Sequence, residues 1–230
     1  MTYVFTPPAT VSVPVQGGGD FPVHRIYCVG RNYVEHAQEM GFTGREPPFF
    51  FMKPADATVV VPDGETGAID YPTLTKNLHY EIELVVALGK GGRDIKAADA
   101  ASHIWGYALG LDMTRRDIQG EMKKLGRPWC IGKGFEQSAP IGPITPFAKT
   151  GEMLKGAITL DVNGVRKQTG DLSQLIWSVN ETIEQLSQAW TLQPGDLIFS
   201  GTPSGVGPVV SGDVMVGRVE GLGELKVAVR

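Results

Sequence analysis

Along much of this chain hydrophobic and polar positions alternate with a period of two, the spacing of extended strands. In LHYEIELVVALG (78–89), His79, Glu81 and Glu83 fall on one face of an extended segment and Tyr80, Ile82 and Leu84 on the other. The alternation then gives way to an apolar run from Leu84 to Leu88, the pattern of a strand covered on both faces. RIYCVG (25–30), FFFMKP (49–54) and GYALGLD (106–112) read as further strands, and DATVVVP (56–62) as an extended segment. After Leu192, short apolar strands follow Gly-Asp turns, which suits a β roll or barrel.

Helical spacing is rarer. SVNETIEQLSQAW (178–190) carries a Ser178/Glu181 capping box and a stripe of Val179, Ile183, Leu186 and Trp190. NYVEHAQEMG predicts a short helix with Asn32 as N-cap, Glu35 at the capping-box position and Gly41 as its stop. TRRDIQGEMKKLG predicts another, with Thr114 as N-cap and Gly126 beyond its end, and residues 96–104 a further one. The expected fold is therefore mixed α/β and β-rich, with a few short helices. Residues 1–20 read as a β ribbon ending in Gly17-Gly18-Gly19, an N-terminal extension to a single catalytic domain over 21–230.

Composition narrows the partners. With 20% charged residues, 42% hydrophobic ones and a net charge of −4, and no basic run longer than Lys123-Lys124, the chain is not expected to bind nucleic acid. No apolar stretch approaches the ~20 residues that span a bilayer, and the N-terminus lacks a charged segment leading into an apolar one, so a cytoplasmic protein without a membrane partner is expected. Cys28 and Cys130 lie far apart in dissimilar contexts, so no disulfide is expected, and Cys130 reads as a small buried thiol rather than an activated nucleophile.

Several residues could carry chemistry. A Glu-x-Glu pair ordinarily marks a solvated strand face, but Glu81 and Glu83 run straight into an apolar interior. Two carboxylates in a dry place repel each other unless a cation stands between them. Asp112, which ends an otherwise apolar strand, offers a third oxygen ligand, and three carboxylates favour Mg²⁺, Mn²⁺ or Ca²⁺ over zinc. His36 and Glu39 are three apart on a helix, so a glutamate can orient an imidazole; a solvated polar face accounts for the same spacing. Arg116 and Gln119 share a helix face beyond Asp112, and Lys133 lies between Gly132 and Gly134, which permit close backbone approach. Thr202, in GTPSGVGP, donates a hydroxyl to a ligand or stabilises its turn; the segment lacks the ending of a nucleotide loop.

Taken in order, IYCVGRNYVEHAQEM, FFFMKPADA, HYEIELVVALG, GYALGLDMTRRDIQ, RPWCIGKGF, VNGVRKQTGDLSQLIWSV and GDLIFSGTPSGVGPV resemble the fumarylacetoacetate hydrolase family from about Arg25 to the C-terminus. The resemblance implies that family's β-roll or barrel, usually as a homodimer, around one Mg²⁺ or Mn²⁺ per subunit. It implies Glu81, Glu83 and Asp112 as metal ligands, His36 and Glu39 as the dyad that activates water, and Lys133 as an oxyanion contact. Arg116, Gln119 and Thr202 are implied as contacts to a 2-oxo acid substrate. His79 resembles a position near the metal shell without being a ligand. The implied reaction is C–C bond hydrolysis of an acylpyruvate, with the fumarylpyruvate branch of gentisate-type aromatic breakdown most similar. Oxaloacetate decarboxylation, acylpyruvase activity and 2-hydroxydienoate isomerisation or decarboxylation are the alternatives. Arg31, Arg115, Lys124 and Arg127 are the candidates for the far carboxylate of such a substrate.

Overall fold

The apolar runs become strands because their side chains find cover on two sides. The computed structural model describes residues 2–34 and 45–230. In chain order the strands are β1 (Ser12–Pro14), β2 (Asp20–Pro22), β3 (Ile26–Gly30), β4 (Phe49–Lys53), β5 (Thr58–Val60), β6 (Thr66–Ile69), β7 (Leu78–Tyr80), β8 (Ile82–Leu88) and β9 (Ile104–Leu111). They continue as β10 (Thr114–Arg115), β11 (Ala139–Ile141), β12 (Thr145–Pro146), β13 (Ala157–Val162), β14 (Val165–Asp171), β15 (Leu197–Phe199), β16 (Gly207–Val209), β17 (Val214–Val219) and β18 (Gly223–Val229). The helices are Arg116–Lys124, Cys130–Lys133, Phe147–Thr150 and Val179–Ala189.

The main sheet runs β4-β3-β15-β8-β9-β11-β5, with β12 joined to β9. A five-stranded sheet, β14-β13-β17-β18-β6, and a three-stranded one, β10-β7-β16, accompany it. The β-rich roll with short helices expected from the sequence is thus present. Strand β8 lies between β15 and β9 and buries every residue. Its Ile82, Leu84, Val86 and Leu88 join an apolar cluster with Ile158 and Leu160 of β13 and Ile183 and Leu186 of the long helix. Its Val85 and Ala87 join a second cluster with Cys28, Phe199 and the N-terminal Val13 and Phe21. By alternation Glu83 faces the side of Val85 and Ala87. Each buried aliphatic side chain contributes about 1.5–3 kcal/mol, so the sheet holds β8 rigidly.

Local signals were mostly borne out. Ser178 accepts from the Glu181 N–H and Glu181 caps the Ser178 N–H, while Val179, Ile183 and Leu186 are buried. Trp190 packs against Tyr27 at 5.4 Å and Phe50 at 6.2 Å. The ribbon β1–β2 pairs Ser12 with Pro22, turning through three glycines of positive φ.

Three local expectations need correction. Thr114 is not an N-cap: it pairs with His79 in β10–β7 and gives its hydroxyl to the Asp112 carbonyl, and the helix starts at Arg116 without a side-chain cap. Residues 96–104 yield only a 3-10 turn at Ala100–His103, and 56–62 opens with another at Ala55–Ala57 before β5. The Asn32 side chain donates to the Trp177 and Ser200 carbonyls and accepts from the Trp177 N–H. The helix it was expected to cap, NYVEHAQEMG, lies from residue 35 on outside the described residues.

Replacing the cap, Ser178→Ala, should lower the unfolding free energy by about 1 kcal/mol, read from the urea midpoint at constant slope. An unshifted midpoint would show that the capping box does not stabilise this helix.

Candidate metal centre

Glu81 stands where the chain passes from β7 in the three-stranded sheet to β8 in the main sheet. Asp112 follows the end of β9, the neighbour of β8, and its N–H donates to the Glu81 carbonyl at 2.9 Å. Glu83 sits one pair into the same ladder, opposite Gly110. These pairings gather the three carboxylates, all buried, with ligand oxygens within 4.8 Å of one another.

The electrostatics of the trio decide its chemistry. The Glu83 carboxyl is pushed well above the usual range, first by burial and then by repulsion from Asp112 and Glu81. One of its oxygens accepts from the Gly201 N–H at 2.8 Å. Gly201 has φ of 101°, and a Cβ there would lie 2.7 Å from the Asn32 Cβ, so only glycine presents that N–H without strain. Among the described residues, no cationic group lies within ion-pair distance of Glu83. Hard oxygen donors, crowded and buried, fit a divalent cation of the Mg²⁺ or Mn²⁺ type.

Cations surround the other two acids. The Lys133 ammonium donates to Glu81 Oε2 at 2.8 Å and to Asp112 Oδ2 at 2.7 Å. Burial opposes its charge, yet Asp112 and Glu81 outweigh burial and hold its pKa above the ordinary lysine value. Lys133 is therefore a charged hydrogen-bond donor rather than a base. The close packing that brings it in depends on Gly132, where a Cβ would meet the Gln119 backbone at 3.0 Å.

Arg116 donates to Glu81 Oε1 and, at 2.6 Å, to Gln119 Oε1. It also reaches His79 Nδ1 at 3.3 Å, while His79 Nε2 lies 3.0 Å from Asn77 Oδ1. Burial and the Arg116 charge pull the His79 pKa down to about 4, so His79 is a neutral ring that orients Arg116. Arg116, Gln119 and Lys133 thus converge on the acids from two helices. Thr202 lines the same cavity, but its hydroxyl donates to the Ile82 carbonyl and accepts from Gln168, both at 2.8 Å. These contacts stabilise the turn, leaving no hydroxyl proton for a ligand. His36 and Glu39 lie outside the described residues.

Two contributors were not singled out in the sequence. Lys53, buried at the end of β4, places its ammonium 2.8 Å from Asp112 Oδ1 and donates to the Met113 and Lys133 carbonyls. A lone lysine closing the apolar FFFMK was the available signal, the same one that drew attention to Asp112. Gln168, also buried, accepts from the Ile82 N–H and donates to Thr202 and Pro203, pinning the 202–203 turn against β8. Both cysteines are free as expected; Cys28 is buried, but Cys130 is exposed, contrary to the reading of a buried thiol.

Comparison with known proteins adds the lineage. The family profile described as fumarylacetoacetate (FAA) hydrolase C-terminal matches residues 25–230. A crystal structure of fumarylpyruvate hydrolase from Pseudomonas aeruginosa in complex with Mn²⁺ and pyruvate is 56% identical, with a TM-score of 0.97 over 99% of each chain. Fumarylpyruvate hydrolase of Ralstonia sp is 46% identical over 80% of this chain and 93% of its own. The mitochondrial oxaloacetate tautomerase of Bos taurus is 40% identical over 89% of this chain and 90% of its own.

Lys53→Met should cost about 3–5 kcal/mol of unfolding free energy, because it leaves Asp112 short of a buried countercharge. Chemical denaturation measures it, and a loss below about 1 kcal/mol would contradict the assigned contact.

Proposed function

This chain belongs to the fumarylacetoacetate hydrolase family, and we propose that it hydrolyses the C–C bond of an acylpyruvate, 3-fumarylpyruvate, to fumarate and pyruvate. The observation that carries this reading is the buried trio Glu81, Glu83 and Asp112 in a chain so similar to a hydrolase holding Mn²⁺ and pyruvate.

Glu81, Glu83 and Asp112 would hold a divalent cation, which would supply Lewis-acid polarisation of the 2-oxo acid end of the substrate. His36, oriented by Glu39 as the family resemblance implies, takes a proton from the attacking water. The resulting hydroxide adds to the acyl carbon. Lys133, charged and with two of its three hydrogens already directed at Glu81 and Asp112, offers the third to the oxyanion. Gln119 points its amide oxygen at Arg116, which leaves its NH₂ for a substrate oxygen. As the C–C bond breaks, its electron pair passes to the pyruvate fragment, which is protonated, and the acyl half leaves as fumarate. Arg116, fixed by Glu81, Gln119 and His79, presents a guanidinium to the pyruvate carboxylate.

The same reading takes the enzyme as a cytoplasmic homodimer acting late in gentisate-type aromatic breakdown. No helix among the described residues is long and apolar enough to cross a membrane. Oxaloacetate chemistry is the second reading, favoured by the similarity to a tautomerase. Tautomerisation and decarboxylation need no attacking water, so isotope incorporation separates them from hydrolysis.

Metal-stripped protein should be idle on fumarylpyruvate, regain turnover with Mg²⁺ or Mn²⁺, and place one solvent ¹⁸O in fumarate, as read by mass spectrometry. Turnover without metal, or fumarate free of label, would contradict the proposal.

A further inference from the structure

The cavity at the acids is too small for a whole substrate. Bounded by Glu81, Glu83, Lys133 and Thr202, it encloses ≈ 20 Å³, room for one ion or water. The acyl arm must therefore lie beyond it. Three of the cavity's walls, Arg31, Phe51 and Trp129, also wall an open groove of ≈ 540 Å³ that continues along Phe49, Met52 and Arg127.

The groove has the character of a slot for a flat, conjugated chain. Phe49 meets Trp129 edge-on at 5.2 Å, and Phe51 lies 5.9 Å from the same ring. Phe49 packs directly on the backbone of Gly30, where a Cβ would fall 2.1 Å from its ring. Such walls favour a planar unsaturated arm but offer a carboxylate no partner. A cation has to supply that.

The four arginines and lysines expected from the sequence separate cleanly. Arg115 is buried, donates to the Ile131 carbonyl and stacks 4.3 Å over Phe135. Lys124 ends an exposed helix turn, and Arg127 is exposed on the outer groove. Arg31 alone among these four lines both the cavity and the groove. Its guanidinium stands 5.2 Å from the Phe49 ring and 5.8 Å from that of Trp129. Its φ of 58° is a left-handed conformation that costs a non-glycine residue, a cost found where geometry serves function. Burial draws its pKa down, a sign of a partly dehydrated cation, yet an arginine remains charged.

We propose that Arg31 is the specificity residue for the acyl arm: where the cavity opens into the aromatic groove, its planar guanidinium receives the distal carboxylate of a dicarboxylic acylpyruvate. The inference rests on the acylpyruvate reading of the site and adds which acyl groups that site prefers. Arg31 pairs in bidentate fashion with the carboxylate while Phe49 and Trp129 hold the guanidinium plane.

The test compares kcat/KM for fumarylpyruvate with that for acetylpyruvate, which keeps the chelating end and replaces the acidic arm by a methyl. The selectivity ratio should fall about 100-fold in Arg31→Met and about 10-fold in Arg31→Lys, and less than about threefold in Arg127→Met. Calorimetry with Mn²⁺-loaded protein gives a second readout: in Arg31→Met the affinity for fumarate should fall relative to that for oxalate. An Arg31→Met ratio within about threefold of wild type, or a loss that appears in Arg127→Met instead, overturns the role of Arg31. Should Arg31→Met fail to fold, the Arg31→Lys ratio decides. Wild-type protein that turns over neither acylpyruvate overturns the functional reading and this inference together; turnover with an unshifted ratio overturns only the latter.

Discussion

Mutual repulsion among three buried carboxylates is the constraint on which the rest of this structure turns. At an effective dielectric of 20, two charges 4.8 Å apart repel by about 3–4 kcal/mol, and the trio contains three such pairs. Repulsion of that size rivals the whole stability margin of a typical domain, about 5–15 kcal/mol. Positive charge must therefore be built in. Lys53, Lys133 and Arg116 meet Asp112 and Glu81 from β4 and two separate helices, while Glu83 receives a backbone N–H. Much of the local architecture follows, including the glycines that let a helix turn and a loop come close.

The same constraint explains what could be read from the sequence. Glu81, Glu83 and Asp112 stood out because acids at the threshold of apolar runs conflict with simple burial, and the structure gathers them. The β8 run and the Ser178–Glu181 box were legible because each is local, set by period or spacing. Thr114 failed as a cap because cross-strand pairing with His79, some 35 residues earlier in the chain, overrode a local preference. Lys53 went unremarked because its significance depends on carbonyls and an acid from distant strands. Thr202 shows the limit of motif reasoning: its position at the cavity matches the expectation, but its hydroxyl is committed to Ile82 and Gln168.

On the proposed reading, chemistry and selectivity fall to two adjoining environments. The acids and their lysines sit in a dry, rigid interior fixed by the main sheet, where fixed charges act strongly. The aromatic groove is open and built from β4, the end of β3 and the segment before Lys133. A family that acts on several 2-oxo acids could retain the first environment and vary the second. Arg31 lines both, the position from which the proposed role would bias the choice of acyl group without altering the carboxylates.

The central claim, that the buried acids form a divalent-cation site, is tested most directly by titrating metal-stripped protein with Mn²⁺ and following free ion by electron paramagnetic resonance. The account predicts one site per chain in wild-type protein and an affinity at least about 100-fold weaker in Glu83→Gln, a variant that stays folded by near-UV circular dichroism. Binding of equal affinity in Glu83→Gln, or no binding by the wild-type chain, would contradict it.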